Sequence, residues 1–141
     1  MAYLDSHTNL GIPTIYGGIT VEGRGLVAIH DAVSLTGQTA NIAATNFTNA
    51  GTAGVYRISY YLLDTTNDVT AGTLTVTIAW NDGTAAQTIT SASINLAVAA
   101  SFTQGTIYVR LGSGNITYAS TITGIFGTAQ YSLYMNAERL S

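Results

Sequence analysis

Residues 73–80 read Thr-Leu-Thr-Val-Thr-Ile-Ala-Trp, an apolar side chain at almost every second position with threonine between, and the run breaks at Asn81-Asp82-Gly83. Period-two alternation running into Asp-Gly predicts a β-strand with one buried face, closed by a tight hairpin. The alternation recurs more loosely almost to the C-terminus, and no stretch has convincing helical periodicity. It predicts strands over 25–30, 41–47, 54–63, 73–80, 86–90, 105–111, 117–123 and 129–139. Turn-forming residues at 48–51, 64–72, 81–83 and 112–115 separate them. The alanine-rich stretch 91–100 fits a short strand or a helical turn, and the pattern leaves both open. Strands of this length and spacing predict an all-β fold over residues 25–141: a two-sheet antiparallel sandwich of the jelly-roll type.

Alternation also assigns faces. Tyr56, Ile58, Tyr60 and Leu62 share one side of their strand, and Tyr131, Leu133, Met135 and Ala137 share one side of the last. Both sets are predicted core. The opposite sides carry Tyr61, Leu63 and Tyr134, which are large and apolar for an outward face. Several such residues on adjacent strands would form a patch of the kind that marks an interface.

Residues 1–24 differ from the rest. Gly11, Gly17, Gly18 and Gly23 interrupt Ile12, Ile15, Ile19 and Val21, and Pro13, the one proline of the chain, lies among them. Glycine at this density prevents regular packing, yet the isoleucines are too apolar for water. The pattern predicts an extended arm lying on an apolar surface; a first strand docked on its own domain is the other reading.

Charge changes the picture most. Only 8% of residues are charged, against about 25% in an ordinary soluble domain. Lysine is absent, and the four arginines are Arg24, Arg57, Arg110 and Arg139. Twenty-three threonines and ten serines must cover much of a surface that would otherwise be ionic. A chain this poor in charge is expected to hold much of its surface against other protein. A net charge of −3 with scattered arginines gives no footing for nucleic acid or an acidic membrane. The absence of cysteine removes disulfides and thiolate metal sites. The start Met1-Ala2-Tyr3-Leu4-Asp5 reads as an intracellularly made product without a secretory signal, so Asn46-Phe47-Thr48 and Asn115-Ile116-Thr117 are not glycosylation sites.

The run Gly54-Val55-Tyr56-Arg57-Ile58-Ser59-Tyr60-Tyr61 resembles the central strand of the trimeric jelly rolls of the complement-head and tumour-necrosis-factor class. Residues 41–140 are also similar to a domain in structural proteins of tailed bacteriophages, through that strand, the Thr-rich strand ending at Trp80, and Gln130-Tyr-Ser-Leu-Tyr134. The resemblance implies a homotrimer and a place in virion architecture or host attachment. It brings no catalytic residues, and the collagen-like stalk, coiled coil or shaft repeat of a fibre is missing. The implied reading is a capsid decoration protein on the head surface, made in the host cytoplasm and bound to the major capsid protein or another virion protein. Ile12, Pro13, Ile15, Tyr16 and Ile19 would form its capsid-binding arm, and Tyr61, Leu63 and Tyr134 its trimer interface. The alternative is a receptor-binding or tail-tip module recognising a host glycan or protein.

Candidate chemistry is thin, and no enzyme activity, cofactor or metal is expected. His7 and His30 are the two histidines, and His30 beside Asp31 reads as a capped surface residue rather than half of a dyad. Gly112-Ser113-Gly114 reads as a turn, lacking the surroundings of a nucleophile elbow. Asp64, Asn67 and Asp68 offer hard oxygen donors but match no defined calcium loop, so they read as turn residues. Trp80 beside Asn81-Asp82 would suit a sugar-stacking platform, but its register with Leu74, Val76 and Ile78 predicts a place in the core.

Overall fold

The structure, a computed structural model, describes residues 29–141 together with two short strands, β1 (Thr20–Val21) and β2 (Arg24–Gly25), which pair with each other. Then follow β3 (Ile29–Gln38), β4 (Thr45–Asn46), β5 (Gly54–Thr66), β6 (Thr73–Asn81), β7 (Ala86–Thr90), β8 (Ile94–Asn95), β9 (Phe102–Leu111), β10 (Ser113–Thr123) and β11 (Gln130–Arg139). There is no helix among the described residues, and so none long and apolar enough to cross a membrane. One sheet has the order β4–β10–β6–β7, with β8 also paired to β6; the other has the order β3–β11–β5–β9, and all pairings are antiparallel. From β3 onward the chain changes sheet at every connection except β6 to β7 and β7 to β8. That interleaving is the jelly roll, and it confirms the predicted class.

The two sheets meet over one core. Leu74, Val76 and Ile78 from β6 and Ile116 and Tyr118 from β10 belong to one sheet; Tyr56, Ile58 and Leu62 from β5 and Leu133, Met135 and Ala137 from β11 belong to the other. All are buried. The predicted inner faces therefore hold, with Tyr60 half-buried at the margin. Each such aliphatic side chain contributes about 1.5–3 kcal/mol by leaving water.

Several boundaries differ from expectation. The first strand of the sandwich is β3, not residues 25–30: Asp31, Val33 and Leu35 alternate with exposed Ala32, Ser34 and Thr36, a pattern masked by the charged start. Over 41–47, only Thr45 and Asn46 join the ladder. Side chains replace the missing bonds, since the Ile42 amide donates to Ser120 Oγ at 2.7 Å and the Ile122 amide to Asn41 Oδ1 at 2.8 Å. The Asn81-Asp82-Gly83 hairpin is wider than a two-residue turn. Its loop runs from Asp82 to Ala85, with Asp82 Oδ1 accepting the amides of Thr84 and Ala85. Residues 91–100 hold β8 followed by turns. At 112–115 the expected turn is instead a crossing: the chain leaves one sheet at Leu111 and enters the other at Ser113. A side chain on Gly112 would run into the backbone of Asp82 and Gly83, so only glycine passes there.

Candidate functional site

The sheet β3–β11–β5–β9 turns its second face away from the core, and the register of its strands fixes which side chains meet there. Tyr61 on β5 lies between Tyr134 on β11 and Gln104 on β9. One step along, Leu63 lies between Ser132 and Phe102. The rings of Tyr61 and Phe102 stack with centroids 5.7 Å apart, and those of Tyr61 and Tyr134 are 6.4 Å apart. The three predicted interface residues Tyr61, Leu63 and Tyr134 are thus brought onto one face by cross-strand pairing. Phe102 is 56% exposed and Tyr134 39%. A groove of about 360 Å³ opens beside them, its lining including Ser34, Ser59, Tyr61, Tyr134 and Asn136.

Among the described residues, charge on this face is confined to one end. Arg57 on β5 and Glu138 on β11 are register partners and form an ion pair. The carboxylate holds the guanidinium above its ordinary value. Tyr108, 67% exposed, flanks Arg57 from β9. Between that row and the Phe102 row, the outward residues are neutral. The surface is therefore an aromatic and hydroxyl field on rigid strands.

Phe102 was not foreseen, because Gly105 reads as a strand boundary and hides the alternation of the residues before it. The structure gives Gly105 another role. A Cβ there would meet the Tyr60 ring at 2.6–2.8 Å, so the bare glycine is what lets that ring lie across β9. The alternation Phe102, Gln104, Thr106, Tyr108 then continues on both sides.

Other candidate residues are not assembled into a site. Trp80 packs half-buried against the core opposite Gln87, as its register predicts. Asp68 is committed to its own turn: Oδ1 accepts the amide and hydroxyl of Thr70, and Oδ2 accepts those of Thr128 across the loop. These bonds hold its carboxyl well below the usual range. Asp64 is not a turn residue, a departure from expectation. It continues the inward file of β5, is buried, and does not share ligands with Asp68. Among the described residues no three His, Cys, Asp or Glu side chains gather in a metal-binding group. His7, the side chain of His30, and the arm residues Ile12, Pro13, Ile15, Tyr16 and Ile19 lie outside the described residues.

No protein-family model matches the chain, and no curated protein matches its sequence. Among solved structures, PRD1 vertex protein P5 is similar at 18% identity and a TM-score of 0.44, with 81% of this chain and 99% of that one covered.

Proposed function

We propose that this chain is a bacteriophage virion structural protein: a homotrimer that binds the capsid surface as a decoration protein and stabilises it. The observation that carries the reading is the neutral face of β3–β11–β5–β9, where Tyr61, Leu63, Phe102 and Tyr134 cluster with their charges displaced to one end. Aromatic side chains held by a sheet lose little freedom on association, and that makes them effective interface anchors. A self-complementary apolar face is buried most simply by a closed rotational assembly. The threefold number and the virion setting come from the resemblance of Gly54–Tyr61 and its companion strands to trimeric phage and tumour-necrosis-factor-like jelly rolls.

In this reading the trimer is the scaffold, and residues 1–24 are the attachment, laid along the major capsid protein or another virion protein. The protein needs no cofactor and catalyses no reaction. It has no nucleic-acid or membrane partner. Sedimentation of the full chain at micromolar concentration tests the assembly, with three times the 14.7 kDa chain mass expected; a monomer overturns it. Co-sedimentation with particles lacking the protein tests the attachment. A trimer that binds no particle leaves the assembly standing and removes the decoration role.

A further inference from the structure

Asp64 is 2% exposed, and among the described residues neither of its carboxylate oxygens has a hydrogen-bond partner. Strand alternation explains its position. It follows Tyr56, Ile58, Tyr60 and Leu62 on the inward side of β5, so the strand carries a carboxyl group into the end of the core. Polar groups on both flanks make bonds of their own. Its register partner on β11 is Tyr131, whose hydroxyl donates to the Ala40 carbonyl at 2.7 Å and also bonds Ser120 Oγ at 2.6 Å. On its other flank the Asp64 amide donates to the Ser101 carbonyl at 2.8 Å, and Ser101 Oγ accepts from the Asn95 amide. A carboxylate in such a place loses its hydration with only the nearby Thr66 amide to offset the loss, whereas the neutral acid loses far less.

The same end of the sandwich is held by few strands. β8 is two residues long, and the segment from Ile94 to Ser101 is tied down by single bonds, including Asp68 N–H to the Leu96 carbonyl.

We propose that Asp64 is a proton-operated latch: with its carboxyl protonated, β5, β11 and the segment 94–101 close over it, and when it ionises that end loosens to admit water. The groups facing it leave the proton as the controlling species. Tyr131 from β11 is the neighbouring titratable side chain, Ser101 and Asn95 from the other flank are neutral, and no charged side chain contributes to its environment. Burial is the dominant influence and pushes the carboxyl up. The Thr66 amide is near enough to oppose it electrostatically, without forming a bond of good geometry. The device operates within one chain and is independent of the virion reading.

The test compares the full-length protein with Asp64→Asn and Asp64→Leu by thermal melting at pH 4 and pH 8, together with hydrogen exchange corrected for intrinsic rates. Wild type is expected to melt about 3 °C or more higher at pH 4 than at pH 8, with protection of amides in 94–104 falling at least tenfold at pH 8. Both variants should lose that difference, while any contribution from His7 and His30 persists in all three proteins. If Asp64→Asn fails to fold, Asp64→Leu serves alone, since it removes the ionisation and keeps the branched outline of the side chain. A wild type more stable at pH 8, or variants with the same pH dependence as wild type, overturns the latch.

Discussion

At the scale of single residues, the chain uses small and polar side chains as structural parts. Gly105 leaves the space that Tyr60 fills, and a valine there would drive two or more carbon atoms into that ring. Gly105→Val should destabilise the fold by about 1–3 kcal/mol, read as a lower urea midpoint at unchanged slope. Ser120 is a buried junction. The single Tyr131 hydroxyl proton goes to the Ala40 carbonyl, so Ser120 Oγ donates to Tyr131 and accepts from the Ile42 amide. Ser120→Ala would take its acceptor from the Ile42 amide and one donor from the Tyr131 oxygen, which keeps its bond to Ala40, and should cost about 1–3 kcal/mol, with the lost protection in hydrogen exchange concentrated at residues 40–43. These residues were not legible in the sequence, because a serine or a glycine gives no periodic signal. Their meaning lies in a partner on another strand, 78 residues away in the case of Ser120 and Ile42.

At the scale of elements, the outer face of β3–β11–β5–β9 is the feature on which the functional reading turns. Tyr61 and Tyr134 were legible because each lies on a strand whose inner residues are plainly apolar, and parity then assigns the opposite side. Their direct pairing was not legible, since register depends on where each strand begins and on the bulges within it. The same gap hid Phe102 and placed the first sandwich strand too early. Introducing charge by Tyr61→Arg or Tyr134→Arg should convert the proposed trimer to monomer without lowering the monomer's own stability by more than about 1 kcal/mol, because both side chains point away from the core. Analytical ultracentrifugation together with circular dichroism separates the two effects. A folded variant that still sediments as a trimer would move the interface to another face.

At the scale of the whole molecule, the carboxylates set opposing pH dependences. Asp68 and Asp82 are held below the ordinary range by amide and hydroxyl donors in their turns. Their stabilising contribution is present above the unfolded carboxylate value of about 3.9 and is lost as pH falls through their folded values. Asp64 is raised by burial, so its contribution is complete below about 3.9 and is lost as pH rises through its folded value. Together they predict a crest in thermal stability near about pH 4, measurable as a maximum in melting temperature across pH 2–8. The jelly-roll class was legible from strand count, spacing and parity alone. The strand order was not, because alternation says nothing about which strands become neighbours.

That order has a consequence in time. β11, made of Gln130–Arg139, lies between β3 and β5, and within the two sandwich sheets only β6 and β7 are consecutive strands that pair. During synthesis, β3 and β5 therefore leave the ribosome with their shared neighbour still untranslated, and most pairings must close loops of tens of residues. Topologies dominated by such distant contacts fold in about milliseconds to seconds rather than microseconds. Until Gln130–Arg139 is made, β3 has no partner in its sheet and β5 lacks one of its two neighbours. A ribosome stalled short of Gln130 would hold β3 without its sheet neighbour and β5 with one open edge, and the insertion of β11 between them completes that sheet.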